Sequence, residues 1–185
     1  MIIDINQQKI SIGSKYDIYV NREKKYYGEQ KIFKLFAEMH LFSEQTRQQA
    51  FKVKKKFFFI YPTYVLTDSQ GKEAVLEMKS YWQTHYQCTY QNRVYDIYPH
   101  RGRKCSVFEN GKQIAWWDKQ AVSWFAGDNY TITANDDANM EVLISCCMAY
   151  DNYTYKSKDK GIFNVDIGNI IFQKKSFDKE WFPNK

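Results

Sequence analysis

Proline is scarce in this chain of 185 residues, with three copies, and glycine is thin at eight. Neither clusters, which excludes a disordered tract and a long flexible linker. Long apolar runs are missing as well. The longest, 140–150, has 11 residues, well short of the ~20 that a membrane-spanning helix requires. The opening stretch, "MIIDINQQKISIG", has no basic start leading into an apolar run, so no secretory signal peptide is expected. Cys88, Cys105, Cys146 and Cys147 show no disulfide framework spacing, and adjacent cysteines do not readily bridge to each other. Reduced thiols in a cytoplasmic protein fit best, with attachment to a membrane surface as the peripheral alternative. Nucleophile elbows, phosphate loops and dinucleotide fingerprints are also missing, so neither an enzyme nor a cofactor is expected.

Aromatic residues are abundant. They make up 18% of the chain, and tyrosine leads with 15 copies. Together with Val, Ile and Thr they favour strands, because branched and aromatic side chains pack well on a pleated surface. One domain of mainly β structure is expected, long enough to bury its own core.

Alternation supports this along the chain. Tyr16, Ile18 and Val20 share one face of a strand. Residues 48–66 read as one or two strands, with Pro62 marking an edge or a bulge. After the turn "DSQG", Ala74, Leu76 and Met78 alternate with Val75, Glu77 and Lys79. The clearest hairpin is 104–119, "KCSVFENGKQIAWWDK", where Asn110-Gly111 supplies the two positive-φ residues of a tight turn. Residues 128–134 form a further alternating strand. A faint echo between "QGKEAVLEMK" and "NGKQIAWWDK" needs only successive hairpins, not a repeat architecture. Trp116 and Trp117 face opposite ways along a strand, so one of them belongs to the core.

The net charge of +6 is uneven. Residues 1–60 carry 12 Lys/Arg and 6 Asp/Glu, whereas 61–185 carry 15 of each. The densest run is "KVKKK", Lys52 to Lys56. With Val53 inward beside Lys55, Lys52, Lys54 and Lys56 point outward, spaced about 6.6 Å apart along the strand. Lys24 and Lys25 extend this row if their strand is a neighbour. The competing reading is a solvated edge strand, since edge lysines discourage aggregation.

Two arrangements that suggest chemistry are set aside, one on spacing and one on its surroundings. His85, Cys88, His100 and Cys105 mimic a zinc pattern, but on a strand His85 and Cys88 point to opposite faces. They read instead as core or half-buried thiols and surface imidazoles. Cys146 and Cys147 lie in apolar surroundings that raise a thiol's pKa and keep it inert.

The segment "MEVLISCCMAYD", 140–151, follows Asp136 and Asp137, which suit a helix N-terminus. Met, Leu and Ala favour helix, while Val142 and Ile144 leave a buried strand open. A helix apolar on all sides must be enclosed by protein or lipid, and this one is too short for lipid.

Over residues 104–152 a hairpin, a Gly-Asp-x-Tyr strand and a greasy segment ending at Asp151 follow in order. That order resembles the tubby C-terminal-like superfamily, which groups tubby domains, phospholipid scramblases and LURP-one-related proteins. The resemblance implies a closed antiparallel barrel of about twelve strands around a central hydrophobic helix. The helix would span 138–150, with Met140, Leu143, Ile144 and Cys147 buried. Residues 1–152 would be the barrel domain. Residues 153–185 would be an extension that adds a strand ("IGNIIFQK") or an arm. "DNYTI", from Asp128, is similar to the segment that scramblases are proposed to use for calcium, so Asp128 and Asn129 are its counterparts. The upstream acid of that segment is Ala126 here. One carboxylate and one amide fall short of the six or more oxygens calcium takes, so no metal is expected.

What the resemblance implies for function is a non-enzymatic module on anionic phospholipid surfaces of the phosphoinositide type. Lipid scrambling is the one activity it leaves open. The candidate headgroup residues Lys52, Lys54, Lys56, Lys24 and Lys25 rest on charge alone. The alternatives are a protein-interaction or structural module, and nucleic-acid binding through the same lysines.

Overall fold

A computed structural model describes residues 1–10, 13–31, 38–56, 63–80, 85–120, 129–159 and 175–184. Among them twelve strands and one helix follow in order. The first six strands are β1 (Ile2–Ile10), β2 (Gly13–Val20), β3 (Glu23–Lys31), β4 (Glu38–Ser43), β5 (Gln49–Lys56) and β6 (Thr63–Asp68). Next are β7 (Glu73–Ser80), β8 (His85–Tyr90), β9 (Arg93–His100), β10 (Lys104–Glu109), β11 (Lys112–Gln120) and β12 (Asn129–Ala134), then α1 (Met140–Asp159).

Each strand pairs antiparallel with its neighbours in sequence, and β1 closes onto β12 from Ile2↔Thr133 to Asn6↔Asn129. Closure removes every free edge. β5 is therefore paired on both sides, with β4 and β6, and the edge-strand reading of its lysines falls. The 48–66 stretch is two strands. Pro62 lies outside the described residues.

Tight turns gather at one end of the barrel, here the near end, together with Met1. Asn21 and Arg22, Gln91 and Asn92, and Asn110 and Gly111 all have positive φ. This is the pair of left-handed residues a two-residue hairpin needs. β1 ends and β2 begins at the opposite, far end, where the chain also turns at 100–104.

Alternation sorts the side chains. Ile3, Ile5, Ile18, Met39, Leu41, Phe51, Val53, Leu66, Leu76, Cys88 and Ile97 point inward and are fully buried. Trp117 is inward and buried while its neighbour Trp116 lies on the outer wall, half-covered.

α1 fills the interior. It enters from the near end, where Tyr26 donates to Glu141 Oε1 at 3.0 Å. It reaches the far end, where Tyr64 donates to Asn152 Oδ1 at 3.3 Å. Val142, Leu143, Ile144, Cys146, Cys147, Met148 and Ala149 are at most 2% exposed, whichever way they face. Met140, in the first turn, is half-buried against the same core. Gly28 on β3 makes room for this helix. A Cβ there would sit 3.1 Å from Met148 Cε and 3.3 Å from the Tyr16 side chain.

Two local expectations change. The helix cap is Asn139, whose Oδ1 accepts from Val142 N at 3.1 Å. Asp136 instead takes the chain's amino terminus at 2.7 Å, so this acid ties β1 to the end of β12. The helix also runs past residue 150 to Asp159. The suggested strand "IGNIIFQK" lies outside the described residues.

Candidate functional site

The outward lysines of β5 stand as alternation requires, since Phe51 and Val53 are buried and Lys54 and Lys56 exposed. Lys55 shares the inward face and is half-buried. The acids opposite them decide how much charge remains available. Lys52 Nζ lies 2.9 Å from Glu38 Oε1, and this contact is the main reason the Glu38 pKa is lowered. His40 holds the same oxygen at 2.9 Å. Lys54 faces Glu38 and Val65 in register, and Lys56 faces Thr63. Among the described residues neither Lys54 nor Lys56 makes an ion pair.

Lys24 and Lys25 do not extend this row. β4 separates β3 from β5. Lys54 pairs opposite Glu38 at one end of β4, while Tyr26, next to Lys25, pairs opposite Ser43 at the other. Those ends are about 17 Å apart by strand rise, beyond the ~8–10 Å over which salt lets surface charges act together. Lys24 is held by Asp17 at 2.7 Å, which raises its pKa, and Lys25 by Glu23 at 2.8 Å. The row thus reduces to Lys54 and Lys56 near the far rim.

Asp128 lies outside the described residues. Asn129 stands opposite Asn6 on the outer wall and helps line an open hollow of about 380 Å³ with Asp4, Thr131 and Arg22. The Asp4 carboxylate already accepts from the Thr131 hydroxyl at 2.9 Å. No group of three or more His, Cys, Asp or Glu side chains among the described residues is arranged to hold a metal ion.

The zinc-like residues divide as the spacing demands. Cys88 and Cys105 are buried in the core. His85 and His100 point to the outer wall, yet they are not surface imidazoles. They are 5% and 3% exposed. His85 stacks on Tyr98 with centroids 4.7 Å apart and bonds Asp96 at 2.8 Å. His100 bonds Ser106 Oγ at 2.8 Å and lies beneath Phe177 of the C-terminal segment. The spacing rule placed their direction; what covers them is distant in sequence. Burial lowers the His100 pKa to about 4.

Inside, the thiols are buried, and those of Cys146 and Cys147 are held protonated. Cys146 is raised chiefly by its hydrogen bond with Cys88, and then by burial; Cys147 is raised chiefly by burial. At the far end Lys119 turns inward and meets Asp151 of α1 at 2.8 Å, and the Tyr130 hydroxyl donates to the same carboxylate. This buried group escapes a reading of the sequence, except that an acid closes the apolar segment.

A closed antiparallel barrel filled by its own helix defines a tubby-like module. The family model for LURP-one-related proteins matches residues 5–151, and the chain belongs to that family, within the tubby-like superfamily. No curated protein and no solved structure matches the chain. No helix among the described residues is long and apolar enough to cross a membrane.

Proposed function

We propose that this chain is a non-enzymatic binding module that attaches to anionic phospholipid surfaces of the phosphoinositide type through Lys54 and Lys56. The observation that carries the reading is the contrast among five lysines. Lys24, Lys25 and Lys52 are each matched by an acid, whereas Lys54 and Lys56 are exposed and have no ion-pair partner among the described residues. Because α1 occupies the barrel interior, a ligand meets the outer wall or the rim rather than a central cavity. The buried, protonated thiols support a binding role over a catalytic one.

Vesicle flotation tests it. The chain is expected to float with anionic vesicles, less so as salt rises, and to ignore neutral ones. Binding to arbitrary duplex DNA with a steep salt dependence, and to no vesicle, would replace this reading with nucleic-acid binding. Binding to neither would leave a module for protein partners.

A further inference from the structure

The outer wall of β9–β11 is not built for water. The solvated face of an antiparallel sheet is normally polar, but here it presents Tyr98, His100, Phe108 and Trp116. Residues 175–184 cover it. Lys175 Nζ lies 3.6 Å from the Phe108 ring centroid and 5.6 Å from that of Tyr98. The Phe177 ring is 5.3 Å from His100 and 5.5 Å from Trp116, with the Lys104 ammonium 5.1 Å from its centroid. Ser176 between them is exposed, as an extended chain that turns alternate side chains to the wall requires.

This segment binds as a peptide would. A closed barrel offers no edge to which a strand can add, and among the described residues 175–184 joins no strand ladder. Among the described residues it is held by rings, by cations and by a bond from Asn184 N to Asn135 Oδ1 at 2.8 Å. Beneath it His100 Nδ1 is buried with no hydrogen-bond partner among the described residues, a polar atom that opening returns to water. Phe182 is 77% exposed, so that ring gains nothing from staying put.

We propose that the outer face of β9–β11 is a peptide-docking groove that reads a basic residue two positions before an aromatic. Residues 175–184 are its resident occupant, and a segment of a partner protein with the same Lys-x-aromatic pattern displaces them. Two seats define the pattern. Phe108 and Tyr98 take the cation, an attraction that strengthens where water is excluded. Trp116 meets the ring edge-on and His100 meets it at a tilt, under Lys104. The groove lies on a different wall from Lys54 and Lys56, so it stands or falls independently of lipid binding.

The test uses the full chain and a labelled peptide, KSFDKEWFPN, which copies 175–184. A tethered occupant competes at an effective concentration on the order of millimolar. The native chain should therefore bind the peptide at least tenfold more weakly than the Phe177→Ala or Lys175→Glu chain. Adding Trp116→Ala to either variant should cost at least tenfold, and a peptide with Ala in place of the Phe that copies Phe177 should not bind. Equal binding by native and variant chains, or binding indifferent to Trp116→Ala, would overturn the proposal. Unfolding of both single variants would overturn it too, because an exchangeable occupant is not required for the fold.

Discussion

Lys119 and Asp151 meet inside the wall, where charge is costly unless paired. Lys119 falls on the inward alternation of Ala115 and Trp117, and its ammonium also lies 5.2 Å from the Tyr130 ring centroid. Lys119→Met removes the Lys119 ammonium from a buried carboxylate and should cost about 3–5 kcal/mol in urea unfolding. Adding Asp151→Leu should restore part of that loss. A double variant as unstable as the sum of the singles would mean that the two groups do not act as a pair. The thiols yield a second expectation at this scale. Cys146 and Cys147 should resist alkylation in the native chain and react only on unfolding, and rapid native labelling of both would contradict their burial. At the residue scale the sequence shows which side chains are apolar and which way alternation turns them. It does not show partners. Asp151 is legible as the acid that closes the greasy segment, but its cation comes from β11, and that meeting depends on how deeply α1 enters the barrel.

The helix is the most legible element, because an eleven-residue segment that is mostly apolar on every side, and too short to span a bilayer, admits few placements. Its end is less so. Past Asp151 the sequence turns polar and the apolar signal stops, yet the backbone continues helically to Asp159. Its cap is obscured for a related reason. Several residues ahead of Met140 make good caps, and Asp136 is diverted by the chain's amino terminus. Leu143→Asp would put an unpaired carboxylate among residues that are almost wholly buried, at a cost of several kcal/mol. A soluble variant with an unchanged melting temperature would contradict the buried helix.

The C-terminal segment also has an expected signature at this scale. His100 is neutral beneath it, with its pKa lowered by burial from 6.5 to about 4. Between those values the unfolded chain binds more protons than the folded one, so stability is complete above about pH 6.5 and declines as pH falls toward 4. Lys104, its partner in register, offers the new imidazolium no compensation. His100→Gln should flatten the fall in melting temperature over that interval. An unchanged slope would assign the acid sensitivity to other groups.

Across the whole molecule, alternation and frequent turns make the β class legible and the family resemblance implies the closed barrel of about twelve strands, but neither shows the sides of the charge pattern. Lys52, Lys54 and Lys56 are visible in the sequence as one outward row. The acid that engages Lys52 is Glu38, on the preceding strand, and only register shows that it lies within reach. Register also separates Lys24 and Lys25 from the row by the length of β4. These two groups allow the central claim to be tested at constant net charge. Lys54→Gln with Lys56→Gln, and Lys24→Gln with Lys25→Gln, each remove two charges from the chain's +6 and leave +4. Each exposed lysine near an anionic leaflet contributes about 1 kcal/mol, so losing Lys54 and Lys56 should weaken vesicle binding roughly thirtyfold. Losing Lys24 and Lys25 should change it little, and both variants should melt like the parent. Equal weakening by the two pairs, or a parent that ignores anionic vesicles at low salt, would contradict a lipid contact at Lys54 and Lys56.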